Sequence, residues 1–511
     1  MGNDIDAGRS AGLYPYQERD LNILFDKINH SSKGNRILYQ LPTGGGKTRI
    51  FSEIAKRFIT TFSQKVMVLT HRTELCRQTA ATLKQLGIKN KVINSTVKRL
   101  NAREDYPCYV GMVETLRNRL REGMMDTADI GLLIIDEAHH NSFQKLLRRF
   151  PHALVVGVTA TPLSSSIEQP MNKTYHELVV GESIANLIKQ GYLAKPVCWR
   201  YDVELNSLRT GSHGDFTIST SDELYSSPAM LDLLLHTYET HAKHKKTLIF
   251  NNGIFTSRNV CKMFEDAGHP IKHLDHHHSA AERAEILKWF KRTKRAILTS
   301  VSILTTGFDE PAIQTVILNR ATTSLTLYHQ MIGRGSRSLP KKKTFSIIDL
   351  GNNTERFGAW QDPLDWQLIF DRPELFYETM RSHAAQEARV ISPDLRAKFP
   401  NTLQLSFDIQ EAYQRALAES RKSITVIRDA IRQHAAMCIE NSGSIAEALQ
   451  LADVLDNEIN WRVKQYGKCL GKVTRNYTDW LKEDYKSRLK LLIQKLMQKS
   501  LANSKSRSKA A

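Results

Sequence analysis

RILYQLPTGGGKT, residues 36–48, is the stretch on which the fold turns. RILYQL has the apolar and aromatic run of a buried strand, PTGGG reads as a glycine-rich turn, and RIFSEIAKRFI behind it has apolar residues at helical spacing. In such a strand–loop–helix unit the glycines let the backbone curl, so that N–H groups at the helix N-terminus face phosphate oxygens. Lys47 would reach the β- and γ-phosphates and the Thr48 hydroxyl would hold Mg²⁺. The strict G-x-x-x-x-G-K-[ST] pattern is missed, because Leu41 stands where its first glycine belongs, but the P-T-G-x-G-K-T variant is met. Thr43, Gly44, Gly45, Gly46, Lys47 and Thr48 are therefore candidate nucleotide-binding residues.

Outward from this unit the same rhythm repeats. KVMVLT (65–70), GLLIIDE (131–137), ALVVGVT (153–159), KTLIF (246–250), RAILTS (295–300), TVILN (315–319) and TFSIID (344–349) are short β-rich runs separated by helix-length segments. That alternation predicts βαβ units and a mostly parallel sheet covered on both faces. GLLIIDE ends in Asp136 and Glu137, so both carboxylates are expected at the sheet edge where α/β proteins bind ligands. Two acids buried there ask for a cation: Asp136 suits Mg²⁺ held through its water shell, and Glu137 the polarising of an attacking water. The rhythm breaks in the polar stretch NSLRTGSHGDFTISTSDELYSSP, read as an excursion between domains.

Length and composition bound the rest. At about 150 residues per domain, 511 residues suggest three units. Hydrophobic residues at 41% and charged residues at 24% exclude a disordered or fibrous chain. The six cysteines (Cys76, Cys108, Cys198, Cys261, Cys438, Cys469) are scattered without a C-x-x-C pair, which argues against a disulfide framework or zinc ribbon and for a reducing, cytoplasmic setting. No apolar run reaches the roughly 18 residues of a membrane span, and MGNDIDAGRS has neither signal-peptide order nor, with Asp6, a myristoylation pattern. The net charge of +19 points to polyanionic partners. Residues 461–511 hold fourteen Lys and Arg against three acids, a net of +11 that leaves +8 for the rest. Proline is absent after Pro400, and Leu481, Tyr485, Leu489, Leu492 and Leu496 share one helical face, so the C-terminal part reads as a basic helical domain.

Taken in order, the motifs resemble superfamily 2 helicases and translocases, the DEAD/DEAH-box class. The resemblance covers roughly residues 13–350 and is nearest to the bacterial RadD-like helicases and the motor subunits of restriction enzymes. Leu13-Tyr14-Pro15-Tyr16-Gln17 resembles the adenine-reading segment, with Gln17 as the base contact. Thr70-His71-Arg72-Thr73-Glu74-Leu75 and Val113-Glu114-Thr115-Leu116 resemble strand-contacting elements, and Thr159-Ala160-Thr161-Pro162 the coupling motif. In the second half, Phe250-Asn251-Asn252, Thr305-Thr306-Gly307-Phe308-Asp309 and the arginine-finger segment Gln330-Met331-Ile332-Gly333-Arg334-Gly335-Ser336-Arg337 follow in the family's order.

The resemblance implies an α/β protein with two tandem RecA-like P-loop domains and an appended helical domain, expected at 1–198, 199–366 and 367–511. It implies ATP hydrolysis in the cleft between lobes. Lys47, Asp136, Glu137, Gln330, Arg334 and Arg337 would be catalytic, Gln17, Gly307 and Asp309 would join the nucleotide site, and Thr48 and Asp136 would carry Mg²⁺. An always-charged guanidinium stabilises charge on the transferring phosphoryl group. A nucleic-acid strand would meet Thr70, Arg72, Thr115, Thr299, Ser300 and Thr305 through its phosphates, while Thr159 and Thr161 link nucleotide state to grip. DNA is the expected substrate. RNA, a protein partner docked on the C-terminal helices and a catalytically silent scaffold stay open. His276-His277-His278 reads as a polar turn, His139 as a contact to nucleotide or the second lobe, and Trp360, Trp366 and Phe370 as a linker packed on the second lobe.

Overall fold

The computed structural model describes residues 12–507 apart from 95–104, 124–126, 165, 167, 212–213, 302, 306, 379–391, 420 and 471–472. The N-terminal decapeptide, Thr306 and the last four residues of the basic tail lie outside the described residues.

Thirteen strands are described: β1 Arg36–Gln40, β2 Lys65–Thr70, β3 Asn90–Ile93, β4 Cys108–Met112, β5 Ile130–Asp136, β6 Leu154–Thr159, β7 Glu177–Val180, β8 Lys195–Arg200, β9 Thr247–Asn251, β10 Ile271–Leu274, β11 Ile297–Val301, β12 Thr315–Asn319 and β13 Thr344–Asp349. They form two sheets, β3-β4-β2-β5-β6-β1-β7 and β10-β11-β9-β12-β13-β8. Every described pairing is parallel. Helices cover both faces, which is why central strands such as Val66–Leu69 and Val316–Leu318 are apolar on both sides and wholly buried. All eight strands expected from the sequence are present. The five others are short or carry polar and half-exposed positions, as in the Asn90–Ile93 edge strand, so no continuous apolar run announces them.

The expected boundary at 198/199 cuts β8, yet that strand pairs along its whole length with β13, Lys195 opposite Thr344 through Arg200 opposite Asp349. The second lobe therefore begins ahead of Lys195. The linker also departs from expectation. Trp360 packs edge-on against Phe345 of the second lobe, but Phe370, on the helix Trp366–Asp371, joins the first lobe's core beside Leu146 and Tyr175. Asn172 donates to the Asp371 carbonyl at 3.1 Å and the Tyr377 hydroxyl to the Ser164 carbonyl at 2.6 Å. The chain thus leaves the second lobe and straps back across the first.

Residues 392–507 form a helical body with its own core, built on Ile427, Ile431, Leu455, Tyr466, Leu481, Tyr485 and Ile493. Leu496, expected on the buried face, is 43% exposed, while Ile493 and Met497 on either side of it pack on the core. At the body's centre Arg462 pairs with Glu458 at 2.9 Å and donates to the carbonyls of Ala430 and Leu405. The body docks on the second lobe, where Asp202 accepts from the backbone N–H of Leu405 and Ser406 at 3.0 and 2.8 Å and Arg396 lies over the Tyr201 ring. Among the described residues no helix is long and apolar enough to cross a membrane.

Candidate nucleotide site between the lobes

The carboxyl end of β1 runs through Leu41 and Pro42 into the glycine loop, and the helix Lys47–Phe62 starts at Lys47. Its buried face, Ile50, Phe51, Ile54, Ala55 and Phe58, seats it on the sheet. Gly44 and Gly46 sit at φ +91° and +86°, conformations that only glycine adopts without strain. A side chain on Gly46 would also strike Gln17, whose Nε2 would lie 2.4 Å from its Cβ. Gln17 and the Tyr16 hydroxyl both donate to the Gly45 carbonyl, at 3.2 and 2.7 Å, so the Tyr14–Gln17 segment rests on the glycine loop. Leu41, the departure from the strict pattern, packs where a Gly45 side chain would have to go.

β5 delivers the acid pair. Asp136 is its last residue, and Glu137 follows at φ +53°, a left-handed conformation costing a non-glycine residue about 1–3 kcal/mol. That turn lets the Ala138 N–H reach the Val158 carbonyl at 2.9 Å and holds the two carboxyls together. Burial, then the neighbouring Glu137, raises Asp136, with Lys47 opposing. At Glu137 burial acts upward too, but the charges of Lys47 and Arg334 help outweigh it and hold the carboxyl low. Burial lowers Lys47 against the pull of Glu137 and Asp136. Glu137 Oε2 is buried without a hydrogen-bond partner, an oxygen open to a water or a donor from a ligand. Two clustered carboxyls, one held up by its neighbour, together with the Thr48 hydroxyl form a hard-oxygen set that fits Mg²⁺.

The second lobe reaches into this site. Arg337 Nη1 donates to the Gly44 carbonyl at 3.2 Å while its Nε pairs with Asp309 at 3.2 Å. Arg334 donates to the Phe308 carbonyl at 2.6 Å; burial brings it down to about 10, against the field of Glu137. Thr43 lies against Gly333 so tightly that any side chain there would collide with it. Gly307, at φ +75°, faces Leu75 and Arg72 of the first lobe.

A hydrogen-bonded chain runs between the lobes behind the acid pair. Thr159 spends its one hydroxyl proton on the Thr161 carbonyl at 3.0 Å, so His139 Nδ1, 2.9 Å away, must be the donor to Thr159 Oγ1. His139 Nε2 is then the acceptor for Gln330 Nε2 at 3.4 Å. Burial brings His139 down to about 4, in keeping with a neutral ring. Thr161 Oγ1 donates across the cleft to Thr326 at 3.0 Å, on the same helix, Leu325–Gly333, that carries Gln330.

The expected strand contacts fall into two groups. Thr70 and Thr299 are fully buried, Thr70 bonded to Cys76 and the Arg72 carbonyl and Thr299 to Asn251 and Ser257, so neither hydroxyl faces the cleft. Ser300 is buried with its hydroxyl unpartnered, and Thr305 is buried as well. Thr115 is half-exposed, and Arg72 lines the cleft while donating across it to the Ile303 carbonyl at 2.8 Å. His276–His278 adjoin Asp275, which accepts from the His277 N–H and lies 3.0 Å from both His273 and His278; among the described residues no cluster of three or more His, Cys, Asp or Glu could hold a metal ion. Tyr192 had no signal in the sequence. It lies in the link between the sheets with its ring 4.4 Å from Tyr14 and 5.2 Å from Tyr16, and its neighbour Leu193 bridges to Arg337 and abuts Gly44.

Two parallel sheets with helices on both faces and phosphate-loop, acid and arginine segments meeting between them define a protein of the tandem RecA-like class. The profile of the type III restriction enzyme res subunit matches residues 10–164, and that of the helicase conserved C-terminal domain residues 228–338. The chain is 30% identical over 358 residues to the ATP-dependent helicase-type protein IRC3 of Saccharomyces cerevisiae, covering 66% of this chain and 51% of that protein. It is 24% identical over 401 residues to the type I restriction enzyme EcoAI endonuclease subunit of Escherichia coli, covering 69% of this chain and 48% of the other. A fragment of an HsdR subunit of a type I restriction enzyme from Vibrio vulnificus YJ016 superposes with a TM-score of 0.55 at 20% identity, over 67% of this chain and 65% of that one. The type ISP restriction-modification enzyme LlaBIII, solved bound to DNA, gives 0.52 at 14% identity over 94% of this chain and 41% of its own. The first lobe thus matches the type III restriction res-subunit model and the second the helicase C-terminal model, and these solved structures share the tandem RecA-like fold. The chain spans about half the length of IRC3.

Proposed function

We propose that this chain is an ATP-driven, Mg²⁺-requiring nucleic-acid motor that acts on DNA. The observation that carries the reading is the reach of Arg337, from the second lobe, to the phosphate-loop carbonyl of Gly44. In this reading the N–H groups at Gly44–Thr48 and the Lys47 ammonium receive the β- and γ-phosphates of the substrate ATP. Thr48 and Asp136 would hold Mg²⁺, which when bound neutralises charge across those phosphates. Glu137, held anionic by Lys47, orients the attacking water through Oε2 and takes its proton, while Arg334 and Arg337 stabilise the phosphoryl charge. Products are ADP and phosphate. His139, Thr159, Thr161 and Gln330 relay closure of this site to the second lobe, and Arg72, Thr115 and Thr305 with their loop backbones track the strand's phosphates.

The restriction-type relatives support DNA over RNA. The test is ATP turnover by the full chain with and without single-stranded DNA or RNA of matched sequence. DNA is expected to stimulate more than RNA, and Arg337→Ala and Glu137→Gln each to lower turnover by about 10³-fold or more. Turnover that neither polymer stimulates, or that both substitutions leave intact, overturns the reading; strand binding with no hydrolysis at all favours a silent scaffold.

A further inference from the structure

The polar excursion, expected between domains, lies inside the second lobe, between β8 and β9, and forms part of the cleft wall, unused by the nucleotide site. Asp215 accepts from Arg320 Nη2 at 3.0 Å, the Thr322 hydroxyl at 2.8 Å and the Thr323 N–H at 2.9 Å, pinning the segment to the loop after β12. Farther along, Asp222 reaches the first turn of the helix Ile254–Asp266, accepting from the Thr256 N–H and hydroxyl at 3.2 and 2.6 Å. It comes so close to Gly253 that an added Cβ would lie 1.9 Å from its Oδ1. The helix thus takes its capping carboxylate from the excursion, and the pair sets where its second residue, Phe255, stands.

That residue is 61% exposed, and Ile218, opening the excursion's own helix, is 59% exposed. Both line an open cleft of about 800 Å³ with Arg72, Arg283, Arg320 and His276. Two large apolar side chains left bare in one cleft mark a contact surface. Asp215 is matched by Arg320 at 3.0 Å and Asp222 is held by Thr256, so the cations left along the cleft are Arg72 and Arg283, the latter 3.4 Å from Glu74. Guanidinium groups beside an exposed ring are the pairing that holds single strands, phosphates on the cations and a base on the aromatic face.

We propose that Phe255, backed by Ile218, is a base-stacking subsite for single-stranded nucleic acid in the inter-lobe cleft, held in place by the excursion segment. The proposal rests on the reading of the chain as a nucleic-acid motor. It gives the cleft a grip that needs bases as well as phosphates and stays indifferent to their identity, because every base has a π-face.

The experiment measures binding of a fluorescent oligothymidylate, and of an equally long strand of abasic residues, to the full-length chain by anisotropy. Wild type is expected to favour the base-bearing strand. Phe255→Ala should weaken that strand by about 5–100-fold and bring it level with the abasic one, whereas Phe255→Trp keeps the preference. Equal loss on both strands, or oligothymidylate binding unchanged by Phe255→Ala, overturns the stacking subsite alone. A wild-type chain that binds neither DNA nor RNA overturns the motor reading and the subsite with it.

Discussion

Tyr192 shows what a single residue can do once two lobes meet. Its ring touches Tyr14 and Tyr16, which stand just ahead of Gln17, and its neighbour Leu193 pairs with Arg337. On the proposed function, the base contact at Tyr14–Gln17 and the phosphate-sensing Arg337 would be joined by these two adjacent residues. Tyr192→Ala is expected to raise KM for ATP by about 2–10-fold, the worth of one aromatic contact, whereas Tyr192→Phe keeps the ring and the KM. Steady-state kinetics over an ATP series decides it, and equal effects of the two substitutions would put the weight on the hydroxyl instead. Lys47 and Glu137 stand out in the sequence because each sits in a short pattern suited to phosphate or cation chemistry, and Arg337 stands out only through the family resemblance. Tyr192 and Phe255 do not, since a lone aromatic in a linker or a helix start means nothing until its neighbours are known. Thr70 and Thr299 show the converse: right in pattern, but turned inward to Cys76 and Asn251.

Among elements, the strap after the second sheet carries the clearest consequence. Trp366 meets His329 edge-on, beside Gln330 on the finger helix, while four residues later Phe370 is buried in the first lobe. One short helix therefore touches both halves of the motor. Phe370→Ala opens a cavity in the first lobe and should cost about 3–5 kcal/mol, read as a lower denaturation midpoint. A midpoint unmoved by the change would mean the strap does not hold the first lobe. The helix Arg475–Arg507 was legible as a helix and as basic, but not as a structural member. Leu481, Tyr485, Leu489 and Ile493 lie in the helical body's core, so removing residues 461–511 would open that core as well as strip charge.

For the whole molecule, buried neutral histidines tie stability to pH. Burial, reinforced by His140, brings His71 down to about 3, and burial brings His139 and His329 to about 4. An unfolded histidine titrates near 6.5, so between about 6.5 and 4 the unfolded chain binds more protons than the folded one. Stability is then full above about pH 6.5 and is lost as pH falls, by about 2 kcal/mol per histidine at pH 5. The melting temperature should drop from pH 7 to 5, and drop less in His329→Gln; a slope identical in the two proteins would remove His329 from the account. At this scale the net charge of +19 divides between a mildly basic motor and a strongly basic last tenth. By itself the sequence determined the two parallel sheets and which glycines and acids end their strands, because strand–helix period, glycine turns and acid pairs are written within a dozen residues. Only the tertiary structure decided that β8 belongs to the second sheet, that the strap returns to the first lobe, that Arg337 touches Gly44 and that an excursion segment positions Phe255. Those outcomes depend on which distant segments end up a few ångströms apart, and that distance is set by packing rather than by local pattern.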